Sequence, residues 1–243
     1  MNILVACEES QEVCKAFRER GHNAFSCDLY KCSGGHPEWH FNCDCFAVIN
    51  NNGGTLQNGK EYHLPKGEEW DIMVAHPPCT YLSVSGARWL YHPDDKDLPI
   101  DQRREHPHHL GRRQMQKDAM AFFLALTQTK IKRWAIENPV GIMNTHYRKA
   151  DQIVQPFWFG DSASKKTCLW LHNLPELKPT KMVDPGERVV LSSGRSLPKW
   201  YSDSFNTKIT TEERRKARSK TFHGFAQAIG DQWGDINNLP TLK

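Results

Sequence analysis

The sequence lacks any apolar run long enough to cross a membrane. No stretch approaches the ~20 consecutive apolar residues that a spanning helix needs. We expect no secretory leader, because residues 1–6 enter an apolar run without a basic segment or a small-residue cleavage site. With 38% hydrophobic and 25% charged residues among 243, the composition is that of a globular domain with room for a small second lobe. We therefore expect a cytoplasmic protein.

Paired C-x-x-C units are also missing, although the chain contains eight cysteines. Without such pairs, a structural zinc site has little support. His106, His108 and His109 suggest a metal, but their spacing does not place them on one helical face with a fourth ligand nearby. The sequence thus predicts no metal site. A chain this long is not a small disulfide scaffold, so we interpret the cysteines as reduced, one of them carrying chemistry.

Apolar periodicity predicts an α/β fold, a parallel sheet flanked by helices. Strands at 3–7 and 24–28 enclose a helix with Ser10 as its N-cap and Gly21 at its end. Strand, helix and strand in under 30 residues are typical of the start of a parallel sheet. Further strands are predicted at 70–75, 133–136, 152–159 and 167–171.

The remaining segments divide into helices, loops and one insertion. We predict a loop or loose hairpin at 50–59, a surface insertion at 92–109, a loop-rich region at 178–208 and a last helix within 212–234. A helix at 112–127 is predicted to bury one side, made of Met115, Ala119, Phe122, Phe123 and Leu126.

Positive charge is concentrated near the C-terminal end. The chain has a net charge of +4, while residues 195–220 contain eight bases and three acids, a net charge of +5. Such a cluster is the footprint of a phosphate-backbone partner, or equally a solvated helix face.

Four predicted strand ends carry polar side chains. Ligands of parallel α/β sheets bind outside the carboxyl ends of the strands, so these residues are expected to converge. They are Cys7 to Ser10, Asp28, His76 to Cys79, and Glu137 to Pro139. Asp28 can accept hydrogen bonds from both ribose hydroxyls of an adenosine cofactor, or it is a loop acid.

The segment His76-Pro77-Pro78-Cys79 is the most informative of these ends. Two prolines stiffen the turn and fix the side chain that follows, which suits a nucleophile. Taken alone, the segment also fits a structural cysteine beside a tight turn. Glu137 favours chemistry, because a carboxyl group near N3 of a pyrimidine stabilises the charge that develops when a cysteine adds to C6.

Pro77-Pro78-Cys79 and Glu137-Asn138-Pro139 resemble the Pro-Cys and Glu-Asn-Val motifs of DNA cytosine-C5 methyltransferases. Nearly the whole chain resembles short phage and prophage proteins of this type, through Cys7 to Ser10, Ala75 to Leu82, Lys166 to Leu171 and Gly224 to Gly234. The resemblance implies a Rossmann-like sheet, S-adenosylmethionine as cofactor, DNA as partner and a bacterial host cell. It implies a catalytic core at 1–150, a reduced recognition region at 151–210, and a C-terminal helix at 211–243 that returns to the core.

The resemblance also implies roles for individual residues. Cys79 would add to C6 of cytosine, and Glu137 would contact N3 and the exocyclic amine. The cofactor-binding residues would be Cys7, Glu8, Asp28, Asp44, His76 and Pro77. The substrate-binding residues would be Pro78, Thr80, Asn138, Lys165, Lys166 and Thr167.

Three features depart from that pattern. The family's glycine-rich opening turn is replaced by Ala6 to Ser10, so that Glu8 or Glu9 would contact the methionine ammonium or sulfonium, or cofactor binding is altered. Thr80 stands where the family has glutamine, and no Gln-x-Arg-x-Arg motif is present. Two alternatives therefore stay open: modification of a free pyrimidine nucleotide or transfer of another group, and a catalytically silent nucleic-acid-binding protein.

Overall fold

Seven strands form a central sheet in the computed structural model, which describes residues 1–205 and 210–242. In chain order they are β1 (Asn2–Ala6), β2 (Asn23–Cys27), β3 (His40–Phe41), β4 (Ile72–Ala75), β5 (Trp134–Pro139), β6 (Gln152–Val154) and β7 (Thr167–His172). Their spatial order is β3-β2-β1-β4-β5-β7-β6. Six strands run in one direction, and β7 is antiparallel to both of its neighbours. The predicted α/β fold, a mostly parallel sheet flanked by helices, is confirmed.

Helices cover both faces of this sheet. They are α1 (Glu12–Glu19), α2 (Cys45–Asn51), α3 (Val84–Ala87), α4 (Arg112–Thr127), α5 (Met143–His146), α6 (Lys199–Asp203), α7 (Thr211–Ser219) and α8 (His223–Gly234). Side chains alternate along β1, so Ile3 packs with α1 and α8 on one face, and Leu4 packs with α2 and α4 on the other. Because both faces are covered, β1 from Ile3 onward and the whole of β4 are apolar.

Two strands differ from their predicted lengths for identifiable reasons. β5 continues through Glu137 to Pro139, because β7 pairs with it as far as the Pro139–Thr167 register. The strand predicted over 152–159 ends at Val154, and a 3-10 turn at Pro156–Trp158 follows it. Since β6 and β7 complete the sheet, the sheet extends past the expected boundary at residue 150.

The first helix begins differently from the sequence expectation. Its N-cap is Gln11, with φ of 59°, and not Ser10; no side chain of the cap residue closes the helix. The prediction failed because a buried carboxylate from the preceding turn, described below, takes the capping role.

The helix predicted over 112–127 is α4, with the same bounds. Phe123 and Leu126 are buried as expected, but Met115 is 46% exposed, so this predicted core residue is wrong. It lies in the first turn of the helix, ahead of the part that reaches the sheet.

Shorter elements occupy the predicted loops. A hairpin joins Gly53–Thr55 to Glu61–His63, and another joins Arg188–Val190 to Ser196–Pro198. The 92–109 insertion is ordered by 3-10 turns at Pro93–Asp95 and Ile100–Gln102 and by an ion pair of 2.6 Å between Asp95 and Arg104. Within the described ranges, every helix is too short or too polar to traverse a lipid bilayer.

Substitution of Gly224 tests how closely α8 packs against the backbone at Phe159. A Cβ added there would stand 1.9 Å from the Phe159 carbonyl oxygen, which is backbone and cannot rotate away. We expect Gly224→Ala to lower the free energy of unfolding by about 1–3 kcal/mol in a denaturant titration. Gly234→Ala on the same helix is the control, since its Cβ would meet side chains rather than backbone: the His22 ring at 2.7 Å, which can move, and Phe17 at an ordinary contact distance of 3.7 Å. Equal losses in the two variants would contradict this account.

Candidate active site

The His76-Pro77-Pro78-Cys79 turn lies at the carboxyl end of β4 and is held at both ends. The His76 N–H donates to the Ala6 carbonyl at 2.9 Å, which ties the turn to β1. The buried Asn138 amide donates to the Pro77 carbonyl at 2.8 Å, which ties it to β5. The Cys79 carbonyl accepts from the amides of Leu82 and Ser83 at 3.1 and 3.0 Å. Cys79 therefore follows a turn that is fixed to two neighbouring strands.

Glu137 lies beside this turn and contacts its histidine. The Nδ1 atom of His76 is 3.2 Å from Oε2 of Glu137, and the two side chains are only 9% and 15% exposed. Burial acts to raise the pKa of Glu137, but the His76 hydrogen bond and the positive charge of Lys165 together hold it below its usual value. Glu137 is thus a carboxylate at neutral pH.

Cys79 is exposed as a residue, but neighbouring protein atoms partly shield its thiol from water. This desolvation and the charge of Glu137 raise the pKa of Cys79, while Lys165 and Arg218 act to lower it. Cys79 is therefore mainly a thiol at neutral pH, in a setting where added positive charge would favour the thiolate.

A small cleft adjoins Glu137. It is lined by Glu137, Val154, Pro156, Lys165, Thr167, Thr221, Phe222 and Phe225. The free space is about 10 Å³, room for roughly one water molecule. Thr221 and Phe222 join α7 to α8, and the cleft is too small for a pyrimidine ring while its lining stays in this position.

The unusual opening turn has a structural reason. Both carboxylate oxygens of the buried Glu8 accept from the start of α1, Oε1 from the Val13 amide at 2.7 Å and Oε2 from the Cys14 amide at 3.2 Å. Burial raises the pKa of Glu8. Cys7 adopts φ of 60°, the left-handed conformation that glycine favours. The turn is thus tight without glycine, and the predicted cofactor-binding Glu8 is occupied in capping α1.

Glu9 and Asp28 remain as acids at this edge of the sheet. Among the described residues, Oε2 of the buried Glu9 has no hydrogen-bond partner. Asp28 is half-buried, and its Oδ1 accepts from the Tyr30 amide at 2.9 Å. Burial and, to a smaller extent, the charge of Glu9 raise the pKa of Asp28. An unpaired buried carboxylate oxygen near a second acid fits a ligand with a cationic group and hydroxyl donors, as S-adenosylmethionine has.

Asp44 and Cys7 lie close to the same edge. Asp44 is exposed and caps α2 by accepting from the Phe46 amide at 2.7 Å. The Cys7 thiol hydrogen-bonds with Cys45; this contact and burial raise the pKa of Cys7, and the charges of Asp28 and Asp44 add to the effect. The predicted residues Cys7, Asp28 and Asp44 are therefore neighbours.

The predicted substrate residues separate into two groups. Asn138 and Thr167 are buried, and Thr167 lines the cleft with Lys165. Pro78, Thr80 and Lys166 are exposed, and the described contacts do not join their side chains to the cleft. Pro77, predicted at the cofactor, is buried and contributes its carbonyl to Asn138.

Part of the basic segment lies near the carboxyl edge of the sheet, which its sequence did not reveal. On α7, the Arg215 guanidinium lies 3.9 Å over the Tyr30 ring and its charge reaches Asp28, while the charge of Arg218 reaches Cys79. Lys220 pairs with Glu12 at 3.3 Å. Lys208, counted in this segment, lies outside the described residues. Arg215 and Arg218 are site residues that sequence reasoning missed, because base-rich spacing does not say where a helix is docked.

The three histidines of the insertion cluster around an aromatic ring. The ring centroids of His106 and His109 lie 5.1 and 4.9 Å from that of Trp89, and His108 is 5.9 Å from His106. Across residues 1–205 and 210–242, no three His, Cys, Asp or Glu side chains are grouped so as to hold a metal ion.

Comparison with known proteins gives little at the sequence level. No protein-family model matches the chain, and no curated protein matches it. Among solved structures, it is similar to an E. coli protein encoded within a prophage and assigned as a DNA modification methyltransferase, with 11% identity and a TM-score of 0.42. The match covers 76% of this chain and 52% of that one, so the chain spans about half its length. At this similarity, the function must be argued from the chain's own site.

Proposed function

We propose that the protein transfers a methyl group from S-adenosylmethionine to C5 of cytosine in DNA. The observation that carries the proposal is the joint placement of Cys79 and Glu137. A cysteine on a fixed turn after β4 and a buried carboxylate on β5 lie within electrostatic reach of each other at the carboxyl edge of the sheet. A nucleophile and an acidic group on adjacent strands are what addition to a weakly electrophilic pyrimidine requires.

Each group has a defined task in this reaction. The Cys79 thiolate adds to C6, which makes C5 nucleophilic; once C5 has been methylated and has lost its proton, the thiolate leaves C6. Glu137 accepts a hydrogen bond from the exocyclic amine and stabilises a proton on N3 while charge develops in the ring. His76 orients Glu137 through the 3.2 Å contact. Lys165 and Arg218 favour the thiolate of Cys79.

Asp28, Asp44 and Glu9 are the residues that would hold the cofactor. When bound, S-adenosylmethionine supplies an electrophilic methyl group. Asp28 suits the ribose hydroxyls, Asp44 the adenine amine, and the unpaired Oε2 of Glu9 suits a cationic part of the methionine moiety. Glu8 is not assigned to the cofactor, because both of its oxygens are used by α1.

DNA is the acceptor we favour. Lys165 at the cleft and the bases of α7 place positive charge around the Cys79 turn, as a phosphate backbone requires. A base within a duplex is out of reach and would have to be flipped out, and the lining of the small cleft would have to move for it.

Covalent trapping tests the proposal. Because fluorine at C5 cannot leave as a proton does, an oligonucleotide with 5-fluorocytosine should remain bonded to the protein in the presence of S-adenosylmethionine. We expect a protein–DNA band that survives denaturing electrophoresis and a cross-linked peptide at Cys79. The same oligonucleotide without cofactor is the control. If labelled S-adenosylmethionine modified dCMP and never DNA, the acceptor would be a nucleotide; if it modified neither, the proposal would be wrong.

A further inference from the structure

A second cavity lies between α2 and the first hairpin. Its volume is about 460 Å³, and it is open to solvent. It is lined by Asn42, Cys43, Ala47, Asn51, Gly53, Gly54, Thr55, Glu61 and His63. Cys43 is the sulfur-bearing residue of this lining and is half-exposed. Reagents of small-molecule size can therefore reach it.

Cys43 is paired with a buried cysteine behind it. Cys27 ends β2 and is fully buried, and its thiol lies 3.2 Å from the Cys43 carbonyl oxygen. The two thiols are close enough for each to shift the pKa of the other. The accessible Cys43 sulfur therefore has the buried Cys27 thiol close to it. In such an arrangement, the second thiol can form a disulfide with the first after the first has been oxidised.

The two thiols affect each other unequally. The neighbouring Cys27 thiol lowers the pKa of Cys43 to about 7, although burial and the charge of Asp44 act against it. The pKa of Cys27 is raised by the Cys43 thiol and by burial. At the other described cysteines whose pKa is shifted, the pKa is raised; these are Cys7, Cys14, Cys32, Cys79 and Cys168.

We propose that Cys43 is a modification site for peroxides and soft electrophiles that enter this cavity, with Cys27 as its resolving thiol. Cys27 and Cys43 directly precede the proposed cofactor residues Asp28 and Asp44, but their oxidation does not depend on methyl transfer. The observations that support this are the open cavity at Cys43, the 3.2 Å contact between the Cys27 thiol and the Cys43 carbonyl oxygen, and the burial of Cys27, which leaves attack to Cys43.

The oxidation balances with hydrogen peroxide as the oxidant. The Cys43 thiolate attacks one peroxide oxygen, so that an S–O bond forms, the O–O bond breaks, and the hydroxide released takes up a proton to become water. The Cys27 sulfur then attacks the Cys43 sulfenic acid. An S–S bond forms, the S–O bond breaks, and the leaving hydroxide takes the Cys27 proton to give a second water. Two thiols are oxidised to one disulfide as one peroxide is reduced to two waters.

Alkylation of the folded full-length protein tests the reactivity of Cys43. With brief iodoacetamide treatment at pH 7 and peptide mass spectrometry, we expect Cys43 to be labelled at least about 10-fold faster than Cys32 or Cys79, because thiolate is the reacting form. Cys32→Ser is the control variant and should leave the rate at Cys43 unchanged. Labelling of Cys43 no faster than that of Cys32 would overturn the proposal.

Peroxide treatment of the wild-type protein and of Cys27→Ser tests the role of Cys27. In the wild-type protein, we expect a peptide disulfide between Cys27 and Cys43. In Cys27→Ser, with folding checked by circular dichroism, a sulfenic acid at Cys43 should instead be trapped by dimedone. Accumulation of sulfinic acid at Cys43 in the wild-type protein, without the disulfide, would rule out Cys27 as the resolving thiol.

Discussion

Replacement of Cys79 by alanine is expected to abolish methyl transfer, with a fall in kcat of at least roughly 10⁴-fold, since no neighbouring group can form the bond to C6. Cys79→Ser should be nearly as inactive, because a hydroxyl near Glu137 is a far weaker nucleophile than a thiolate. Transfer of labelled methyl groups to cytosine-rich DNA measures both variants. The fold should be unaffected, because Cys79 is exposed and the turn is fixed through its backbone and Asn138.

The wild-type protein should show a matching pH dependence. Because the pKa of Cys79 lies above the usual thiol value, the thiolate fraction in the free protein rises with pH through the neutral range. We expect kcat/KM to rise about tenfold per pH unit from pH 6 to 8 and to level off only above the ordinary thiol pKa of about 8.5.

For the Cys79 variants, Cys32→Ser is the control for loss of a cysteine. Full activity in Cys79→Ala would exclude covalent addition by this residue.

Replacement of Glu137 by glutamine is expected to lower kcat by about 10²–10⁴-fold with a smaller change in cofactor affinity. Glutamine keeps the size and can still accept from His76, but it cannot stabilise a proton on N3. Single-turnover transfer to DNA measures kcat, and calorimetric titration measures S-adenosylmethionine binding. Since the pKa of Glu137 is lowered, the wild-type carboxylate stays ionised down to mildly acidic pH, so its own acid limb should lie below pH ~4.3.

The matched control for this variant is Glu187→Gln, an exposed glutamate at the second hairpin, which should leave kcat unchanged. A second consequence concerns Cys79 itself. Removing the Glu137 charge removes one cause of the raised pKa, so the Cys79 thiol in Glu137→Gln should alkylate faster than in the wild-type protein. A variant with unchanged kcat and an unchanged alkylation rate would show that Glu137 acts on neither cytosine nor Cys79.

Apolar periodicity predicted two kinds of element: those that pack against elements nearby in the sequence, and those that are themselves apolar on both faces. β1, α1, β2 and α4 lie near their predicted bounds because a buried stripe or run leaves few alternatives for such segments. Element ends were less predictable, because distant residues decide them. Glu8 rather than Ser10 closes the start of α1, and pairing with β7 carries β5 beyond Glu137. Neither contact has a local sequence signal.

By itself, the sequence determined the fold class and the candidate chemistry. The chemistry could be predicted because a proline-stiffened turn ending in Cys79 and a glutamate after a later strand are local features. Only the tertiary structure decided how those residues are used. It joined His76 to Glu137, assigned Glu8 to a helix while leaving an oxygen of Glu9 unpaired, and turned bases of α7 toward the site. It also paired Cys43 with Cys27 beside an open cavity. The physical reason is that charge, burial and reactivity depend on neighbours in space, which spacing along the chain does not encode.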